Sequence, residues 1–499
     1  MQASAGAPPP GRHPALLALL LLAALVRIPP CFGDLWLDEI WSLLAARELR
    51  SPLGAFTELH SSNNHPLNTL YLSLVGGSDA PLLLRLPSLA AGVGAVALAG
   101  LVARRAGGPE ACFALLLTAS SYLLIHFSSE ARGYALVVFF SYATLLAARR
   151  FCEDPRWRRA ALVWLCTALG FLSHLTFLYV FLAVLAGSAL ELRSGRAGPR
   201  QAVRAFGRGF APPLVGLGLY YALVLRHLVI GAAPPYALPE VLAKTLSYTG
   251  GGPGAGPLAA GAGLVTAGLL ALAIARLWRR SPGESLLYAI GVFLAPAAVL
   301  AVLRPEVLAV QYFVVDVALG LLALATLLGE GWRRGGWARR AVALGLLLFL
   351  VGNGANVFRL LRFGRGAYRE GLQYMADRTP EPVLHVTSDH DARNGVLLQY
   401  YGPRLRTPRR IDYLPRALQF PVQAVAAAGA PLEPAPGATW MILHRIGAAG
   451  EIAPALEDRH GTRYALAKAL PYADLSGWHW FLYRKDGRAP RRATATGSD

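Results

Sequence analysis

Long apolar blocks recur along most of the chain, and shorter polar stretches separate them. A helix needs roughly 17–25 predominantly apolar residues to cross a bilayer, and blocks near that length recur from Ala15 to Asn353. The pattern predicts an all-α polytopic membrane protein over residues 1–360. We expect eleven transmembrane helices, over residues 14–29, 81–103, 109–127, 130–148, 159–173, 175–192, 209–226, 257–276, 284–303, 312–330 and 341–357.

A secretory signal peptide is a second interpretation of the first apolar run, because Arg12 precedes the stretch Ala15–Val26. A cleavage site requires small residues directly after such a run. Residues 27–30 read Arg-Ile-Pro-Pro instead. We therefore interpret the run as an uncleaved first helix.

Three polar segments are long enough to fold outside the membrane. Residues 30–80 contain two amphipathic stretches, near Asp38–Arg50 and His65–Val75. Residues 227–256 are rich in Pro and Gly, which is typical of a lid or a binding loop. The third segment is the tail, residues 361–499.

The tail predicts a small α/β domain. Tyr368–Met375 has the pattern of a short helix. Val383–Thr387, Thr439–His444 and Trp478–Arg484 alternate or cluster apolar residues as strands do. We therefore divide the chain into a membrane domain, 1–360, and a small domain, 361–499.

Composition and charge favour a membrane protein and argue against a nucleic-acid partner. Only 15% of the residues are charged and 55% are hydrophobic, whereas soluble domains carry about 25% charged residues. The net charge of +19 comes mostly from arginines, which cluster in every second loop, at residues 104–105, 149–159, 193–208, 276–280 and 333–340. This alternation is the positive-inside pattern. We expect a multi-pass plasma (inner) membrane protein with a cytoplasmic N-terminus, an odd number of spans and an extracytoplasmic tail.

The cysteine spacing and the lack of a glycine-rich phosphate-binding loop argue against several other kinds of site and protein. Cys31, Cys112, Cys152 and Cys166 form no CxxC pair. Cys112 and Cys166 fall inside predicted helices, whereas Cys31 and Cys152 fall on opposite faces of the membrane. We therefore expect neither a disulfide framework nor a zinc site. The chain also lacks the phosphate-binding pattern GxxxxGK[ST], which argues against a nucleotide-driven pump.

Asp38 and Glu39 come directly after the first predicted span. Adjacent side chains point about 100° apart on a helix, so these carboxylates cannot flank one glycosidic bond as a glycosidase pair does. One of them suits the general base that a hydroxyl acceptor needs, while the other braces the loop. The alternative is that both acids only begin a surface helix, where negative charge is favourable.

His60 and His65 lie later in the same loop, and Pro66 follows. The two histidines could ligate a divalent metal together with Asp34 or Asp38, or His65 could hydrogen-bond a phosphate or a sugar. Spacing alone favours ordinary polar loop residues. We therefore assign no metal site and name no certain cofactor, and keep a divalent metal as an alternative.

The turn between the third and fourth predicted helices reads Ser-Ser-Glu-Ala-Arg-Gly-Tyr over residues 128–134. Ser129 is a suitable N-cap, which would place Arg132 in the first turn of the helix. A helix N-terminus combined with an arginine forms a phosphate site, and Glu130 and Tyr134 could brace the arginine. The alternative is an interfacial arginine paired with a glutamate.

These three motifs, in this order, resemble the dolichyl-phosphate-mannose protein mannosyltransferase superfamily, which includes lipid A aminoarabinose transferases. The resemblance is strongest over residues 14–150 and generic over the tail. It implies a GT-C fold and inverting sugar transfer from a polyprenyl-phosphate donor to a lipid, glycan or protein acceptor at the outer membrane face. By resemblance, Asp38 matches the base with Glu39 beside it, His65 matches the His-Pro motif, and Glu130, Arg132 and Tyr134 match positions near the donor phosphate.

The sequence departs from the family at one place. Members carry Arg-Tyr at the start of a late helix, whereas this chain has Gln311-Tyr312, with Arg304 upstream. Either Arg304 substitutes or the donor is bound differently. Two alternative functions therefore stay open. One is a lipid or sugar transporter or flippase, and the other is a non-catalytic homologue of the same fold.

Overall fold

The structure is a computed structural model that describes residues 14–486 except 62, 196–197, 230–236, 306, 407–408, 415–436, 448–450 and 458–461. Its described helices are α1 (Pro14–Arg27), α2 (Leu37–Glu48), α3 (Gly54–Thr57), α4 (Pro66–Val75), α5 (Pro81–Ala103), α6 (Gly108–Ser120), α7 (Tyr122–Ser128), α8 (Tyr134–Glu153), α9 (Trp157–Ser173), α10 (Phe177–Ser194), α11 (Pro199–Leu223), α12 (Leu238–Thr249), α13 (Pro257–Trp278), α14 (Pro282–Ala289), α15 (Ala295–Leu303), α16 (Val314–Arg334), α17 (Gly336–Phe363), α18 (Tyr368–Asp377) and α19 (Asp391–Tyr401).

The helical bundle confirms the predicted polytopic membrane protein. Each of the eleven predicted segments is helical over most of its length. Within the described residues, eight helices are long and apolar enough to cross a membrane, or up to ten if each of two bent pairs forms one span. The one predicted segment outside this count is the fifth, which forms α9; it has 17 residues, the lower limit for a span.

The segments between the predicted spans contain short helices. The amphipathic stretches of the first loop form α2 and α4. The axis of α2 is bent by 79° from the preceding helical segment. In the second predicted loop, Leu238–Thr249 form α12, and residues 230–236 lie outside the described part of the chain.

The arginine-rich loops lie together at one end of the bundle. Arg149 pairs with Glu284 at 2.7 Å, and Arg105 pairs with Glu191 at 3.2 Å. Each pair joins two of these loops or the helices that flank them. We call the opposite end, which carries residues 28–80 and the C-terminal sheet, the sheet end.

The C-terminal domain is the predicted α/β unit. Its sheet has the order β2-β1-β3-β6-β5-β4, in which β1 is parallel to both neighbours and β3 is antiparallel to β6. The strands are β1 (Val383–Ser388), β2 (Arg410–Tyr413), β3 (Trp440–Arg445), β4 (Ala455–Glu457), β5 (Arg463–Leu470) and β6 (His479–Lys485). β1, β3 and β6 match the predicted strands. The other three were not predicted.

The sheet domain packs on α2 and so fixes the loop that leads into it. Leu37 and Ile40 of α2 share one apolar cluster with Leu397 and Tyr401 of α19. The hydroxyl of Tyr401 donates to the carbonyl oxygen of Leu35 at 2.8 Å. Burying these side chains from water or lipid headgroups ties the first turn of α2 to the later turns of α19.

Candidate active site

Asp38 lies in the first turn of α2 and is held by an arginine from a distant loop. Nη1 of Arg132 donates to Oδ2 of Asp38 at 2.7 Å, and the two side chains are 5% and 23% exposed, respectively. The carboxylate is therefore paired but still reachable. Such a group can accept a proton from a substrate hydroxyl.

Arg132 is fixed by several partners at once. Its Nη2 donates to Oδ1 of Asn63 at 2.6 Å, and its guanidinium carbon lies 4.9 Å from the ring centre of Tyr134 and 5.5 Å from that of Trp36. Its Nε is buried and has no hydrogen-bond partner among the described residues, and the same holds for Nε1 of Trp36. Buried donors without partners are costly, so an acceptor oxygen from a ligand would be stabilised here.

The backbone around Arg132 differs from the prediction. Helix α8 begins at Tyr134 with Gly133 as its N-cap, so Arg132 precedes the helix instead of lying in its first turn. Ser129 ends α7 and its hydroxyl donates to the carbonyl of His126 at 2.8 Å. Because Ser129 does not cap α8, the predicted helix-N-terminus phosphate site is wrong in this respect.

Tertiary hydrogen bonds explain why residues 129–133 are not helical. Glu39 accepts from the amide of Ala131 at 2.7 Å, Asn68 donates to its carbonyl at 2.8 Å, and Ser88 donates to the carbonyl of Arg132 at 2.9 Å. These bonds satisfy backbone groups that a helix would otherwise pair. An added Cβ at Gly133 would lie 1.9 Å from the carbonyl oxygen of Ser173, so this close approach requires glycine.

Glu39 is a buried structural acid. Its two oxygens accept from Nε and Nη2 of Arg85 at 2.7 and 2.6 Å, and both side chains are 0% exposed. Arg85 also donates to the carbonyls of Cys31 and Gly33. The structure thus places Glu39 beside Asp38 but away from any open surface. Arg85 is therefore neutralised inside the protein by Glu39.

Glu130 also serves a different partner from the one predicted. Its Oε1 accepts from Nε of Arg365 at 3.1 Å, lies 3.1 Å from Nε2 of His126 and accepts from the hydroxyl of Ser476. Burial alone would raise the pKa of Glu130, but the bond from His126 and the charge of Arg365 hold this pKa below its ordinary value. Glu130 therefore anchors the C-terminal domain instead of bracing Arg132.

Two histidines and two tyrosines form the wall next to Arg132. The ring centres of His65 and His174 lie 5.0 Å apart in a stacked arrangement. Tyr134 lies 5.4 Å from His65, and Tyr312 lies 6.3 Å from His174. His174 ends α9, as a turn residue does, but its ring belongs to this cluster, which the sequence did not indicate.

Burial sets the charge of the groups in the site. It raises the pKa of Asp38 above its ordinary 3.8, and this effect exceeds the opposing influence of Arg132. Burial, followed by the charge of Arg132, lowers the pKa of His65 well below 6.5 and that of His174 to about 3. At neutral pH both imidazoles are therefore neutral, and Nε2 of His65 is buried without a partner among the described residues.

Arg304, Gln311 and Tyr312, the residues near the start of a late predicted helix, lie in two different surroundings. Tyr312 reaches the histidine cluster, and Gln311 is half-buried in the same 3-10 turn. Arg304 is exposed at the end of α15, with a left-handed backbone (φ 42°). The side chain of Arg304 makes no hydrogen bond or ion pair with another described residue, so the structure does not bring it to the Arg132 cluster.

The proposed metal alternative finds no ligand set in the described residues. They contain no group of three or more His, Cys, Asp or Glu side chains arranged to hold a metal ion. The ring of His60 lies 5.9 Å from that of His227, whereas His65 contacts His174. The two histidines of the first loop therefore belong to different surroundings.

Comparison with known proteins supports the resemblance seen in the sequence. Residues 67–197 match the family model described as dolichyl-phosphate-mannose-protein mannosyltransferase. This segment contains Glu130, Arg132 and Tyr134, and the predicted resemblance to this mannosyltransferase family is confirmed over these residues. A crystal structure of ArnT from Cupriavidus metallidurans bound to undecaprenyl phosphate is similar at 14% identity over 94% of this chain and 97% of that chain, with a TM-score of 0.46. No curated protein matches the chain.

Proposed function

We propose that this chain is a membrane glycosyltransferase of the superfamily that it resembles. It transfers a sugar from a polyprenyl-phosphate donor to a hydroxyl of a lipid, glycan or protein acceptor at the sheet end. The observation that carries the proposal is the Asp38–Arg132 pair. It combines a reachable carboxylate with a buried guanidinium at one end of a helical membrane bundle, where a lipid-anchored phosphate would present its sugar.

The unpaired donors around this pair suit the donor phosphate. Nε of Arg132 and Nε1 of Trp36 are buried N–H groups without partners among the described residues. Phosphate oxygens are strong acceptors for such groups, and a guanidinium binds them in a defined plane. The neutral His65 offers a further nitrogen at the edge of the same cluster.

The chemistry needs one base and one anion site. Asp38 removes the proton of the acceptor hydroxyl while the acceptor oxygen attacks the anomeric carbon of the sugar. The bond between that carbon and the phosphate oxygen breaks, and its electron pair leaves with the polyprenyl phosphate. Because the attack comes from the side opposite the phosphate, the configuration inverts. Arg132 stabilises the charge that develops on the leaving phosphate.

The distribution of arginines supports a reaction on the outer side of the membrane. The arginine-rich loops share the end opposite Asp38, and such loops favour the cytoplasmic side. We therefore propose that the sheet end faces outward from the plasma membrane and that the N-terminus is cytoplasmic. In a transporter, polar sites are expected near mid-membrane, whereas Asp38, Arg132 and His65 all lie in or beside loops at one end.

The test is mass spectrometry of envelope lipids and glycans from cells with the gene, without it, and with an Asp38→Asn variant at matched membrane levels. A sugar-bearing product should be present only with the wild-type chain. Unchanged products after gene loss would contradict the proposal.

One observation favours a non-catalytic homologue as the second candidate. Gln311 replaces the family's arginine, and Arg304 lies exposed and away from the cluster. The same experiment separates the two candidates. A non-catalytic chain would still be required for an envelope phenotype, but Asp38→Asn would restore it fully.

A further inference from the structure

The carboxyl end of β1 and β3 carries a second polar cluster, outside the site described above. These strands are parallel neighbours, and the chain leaves β1 through α19 to reach β2 on the other side. In open α/β sheets, ligands bind in the crevice at the carboxyl ends of strands where the order reverses in this way. Asp389 follows β1 at this point, and His444 lies at the end of β3.

The cluster holds one arginine in a fixed position. Asp389 is buried and lies 2.8 Å from Nδ1 of His444, and it also accepts from the His444 amide at 3.1 Å. With its Nδ1 proton directed at Asp389, His444 offers Nε2 as an acceptor, and Nη1 of Arg393 lies 3.2 Å from it. A carboxylate thus orients an imidazole, which in turn orients a guanidinium.

A tryptophan completes this cluster. The ring centre of Trp478 lies 5.7 Å from the guanidinium carbon of Arg393 and 5.7 Å from the ring of His444. Trp478 is 3% exposed, and its Nε1 is buried without a hydrogen-bond partner among the described residues. The unpaired N–H of Trp478 and the guanidinium of Arg393 are both hydrogen-bond donors. An anionic oxygen, as in a phosphate, would accept from them.

The cluster lies on the helix that packs against α2. Helix α19, which carries Arg393 in its first turn, packs through its later turns on α2, which carries Asp38 in its first turn, and the hydroxyl of Tyr401 donates to the carbonyl of Leu35 just before α2. The charge of Arg393 also lowers the pKa of Asp38, less strongly than the charge of Arg132 does. The proposal therefore requires a bound molecule that extends from Arg393 towards Asp38.

We propose that this sheet edge binds a phosphate group of the acceptor, with Arg393 and Nε1 of Trp478 as its ligands. The acceptor is then a phosphate-bearing molecule whose hydroxyl is held against Asp38. The identification of the bound molecule as the acceptor rests on the proposed function. The anion site itself is defined by the residues around Arg393. The donor phosphate and the acceptor phosphate would occupy separate arginines, Arg132 and Arg393.

The test is direct binding of inorganic phosphate to the full-length protein in phosphatidylcholine nanodiscs, followed by tryptophan fluorescence and calorimetry without any sugar donor. Arg393→Gln should weaken one phosphate site by about tenfold or more, because a charge-assisted bond is lost, and Arg393→Lys should retain part of it. Arg410→Gln removes an exposed arginine at the opposite end of the parallel strands and should change nothing. Arg132→Gln should leave the Arg393 site intact.

Unchanged phosphate binding in Arg393→Gln, with folding confirmed by its melting temperature, would overturn the proposal. So would complete loss of binding in Arg132→Gln. Nanodiscs that contain phosphatidic acid identify the source: competition with soluble phosphate indicates a lipid headgroup, and no competition indicates a water-soluble or glycan phosphate. Because no turnover is measured, failure of the glycosyltransferase proposal would leave this phosphate site standing.

Discussion

Arg132 and Asp38, 94 residues apart in the chain, form a hydrogen-bonded ion pair of 2.7 Å. Asn63 closes a triangle with them, since it accepts from Arg132 and its amide donates to the carbonyl of Asp38 at 3.0 Å. The proposed base and the proposed phosphate ligand are thus held at a fixed separation. A change in either side chain should affect both proton transfer and donor binding.

Removing the carboxylate of Asp38 should abolish most of the activity. Asp38→Asn keeps the size of the side chain and removes its basicity, and losing a general base typically costs about 10²–10⁴-fold in rate. The measurement is sugar transfer by purified protein at equal folded amounts. Asp377→Asn, at an exposed helix end, is the matched control and should be fully active. A fully active Asp38→Asn enzyme would remove Asp38 from the mechanism.

The pH dependence should report the same carboxylate. Burial raises the pKa of Asp38 above 3.8, and only the deprotonated form accepts a proton. Activity should therefore rise with pH through a midpoint above 3.8 in kcat/KM. Arg393 lowers this pKa, so Arg393→Gln should move the midpoint to higher pH, whereas Arg393→Lys should not. A midpoint unaffected by Arg393→Gln would show that the rise of activity with pH reports the titration of another group.

Lysine should replace Arg132 poorly. Arg132 directs two N–H groups at Asp38 and Asn63 and holds a third, on Nε, free for the donor phosphate. The ammonium of a lysine lacks the planar fork that fixes three donors in this way. We expect Arg132→Lys to weaken donor binding by about tenfold to a hundredfold, which corresponds to one charge-assisted bond of about 1.5–3 kcal/mol. The check is affinity for a polyprenyl-phosphate donor analogue in detergent. Wild-type affinity in both Arg132→Lys and Arg132→Ala would exclude the phosphate role.

Glu39→Gln should damage stability more than chemistry. The change leaves Arg85 as a buried charge without its counter-ion, and breaking such a pair costs about 3–5 kcal/mol. We expect a lower unfolding free energy and less folded protein, with near-normal activity per folded molecule. A Glu39→Gln/Arg85→Met double variant should recover part of the loss. A stable but inactive Glu39→Gln protein would instead exchange the roles of Glu39 and Asp38.

Local patterns predicted the helices and the position of Asp38, because apolar run length and the place after the first span are both visible in sequence. They could not predict the partners of Glu130. Arg365 and Ser476 lie 235 and 346 residues away, and no spacing rule relates them. The same limit explains the wrong start of α8, since the bonds from Glu39, Asn68 and Ser88 that keep residues 129–133 irregular come from distant elements.

Short strands were missed for a different reason. The pattern of β2, Arg410–Tyr413, covers four residues that are exposed or half-buried, so it lacks the apolar alternation that identifies a strand. Its place is set by pairing with β1. The wall formed by His65 and His174 was likewise invisible, because each residue looks like an ordinary turn residue until α4 and α9 are packed.

The last prediction concerns the contact between α12 and the C-terminal domain. Nζ of Lys244 donates to Oδ1 of Asp474 at 2.7 Å, and the hydroxyl of Tyr248 donates to Oδ2 at 2.5 Å. Asp474 has a backbone φ of 156°, so these bonds hold a conformation that is unfavourable for a residue with a side chain. The same short segment carries Ser476, the partner of Glu130.

We expect Lys244→Met and Asp474→Asn each to lower the unfolding free energy by about 1.5–3 kcal/mol, the range for hydrogen bonds to charged groups, and to be non-additive in the double variant. Burial alone would raise the pKa of Asp474, but the charge and bond of Lys244 hold this pKa below 3.8. The contribution should therefore be complete above pH 3.8 and be lost as the pH falls through the lower, folded-state pKa. Thermal unfolding in detergent across pH, compared between wild type and Asp474→Asn, measures this difference. Additive single changes, or a difference that grows on acidification, would show that Lys244 and Asp474 do not act as a pair.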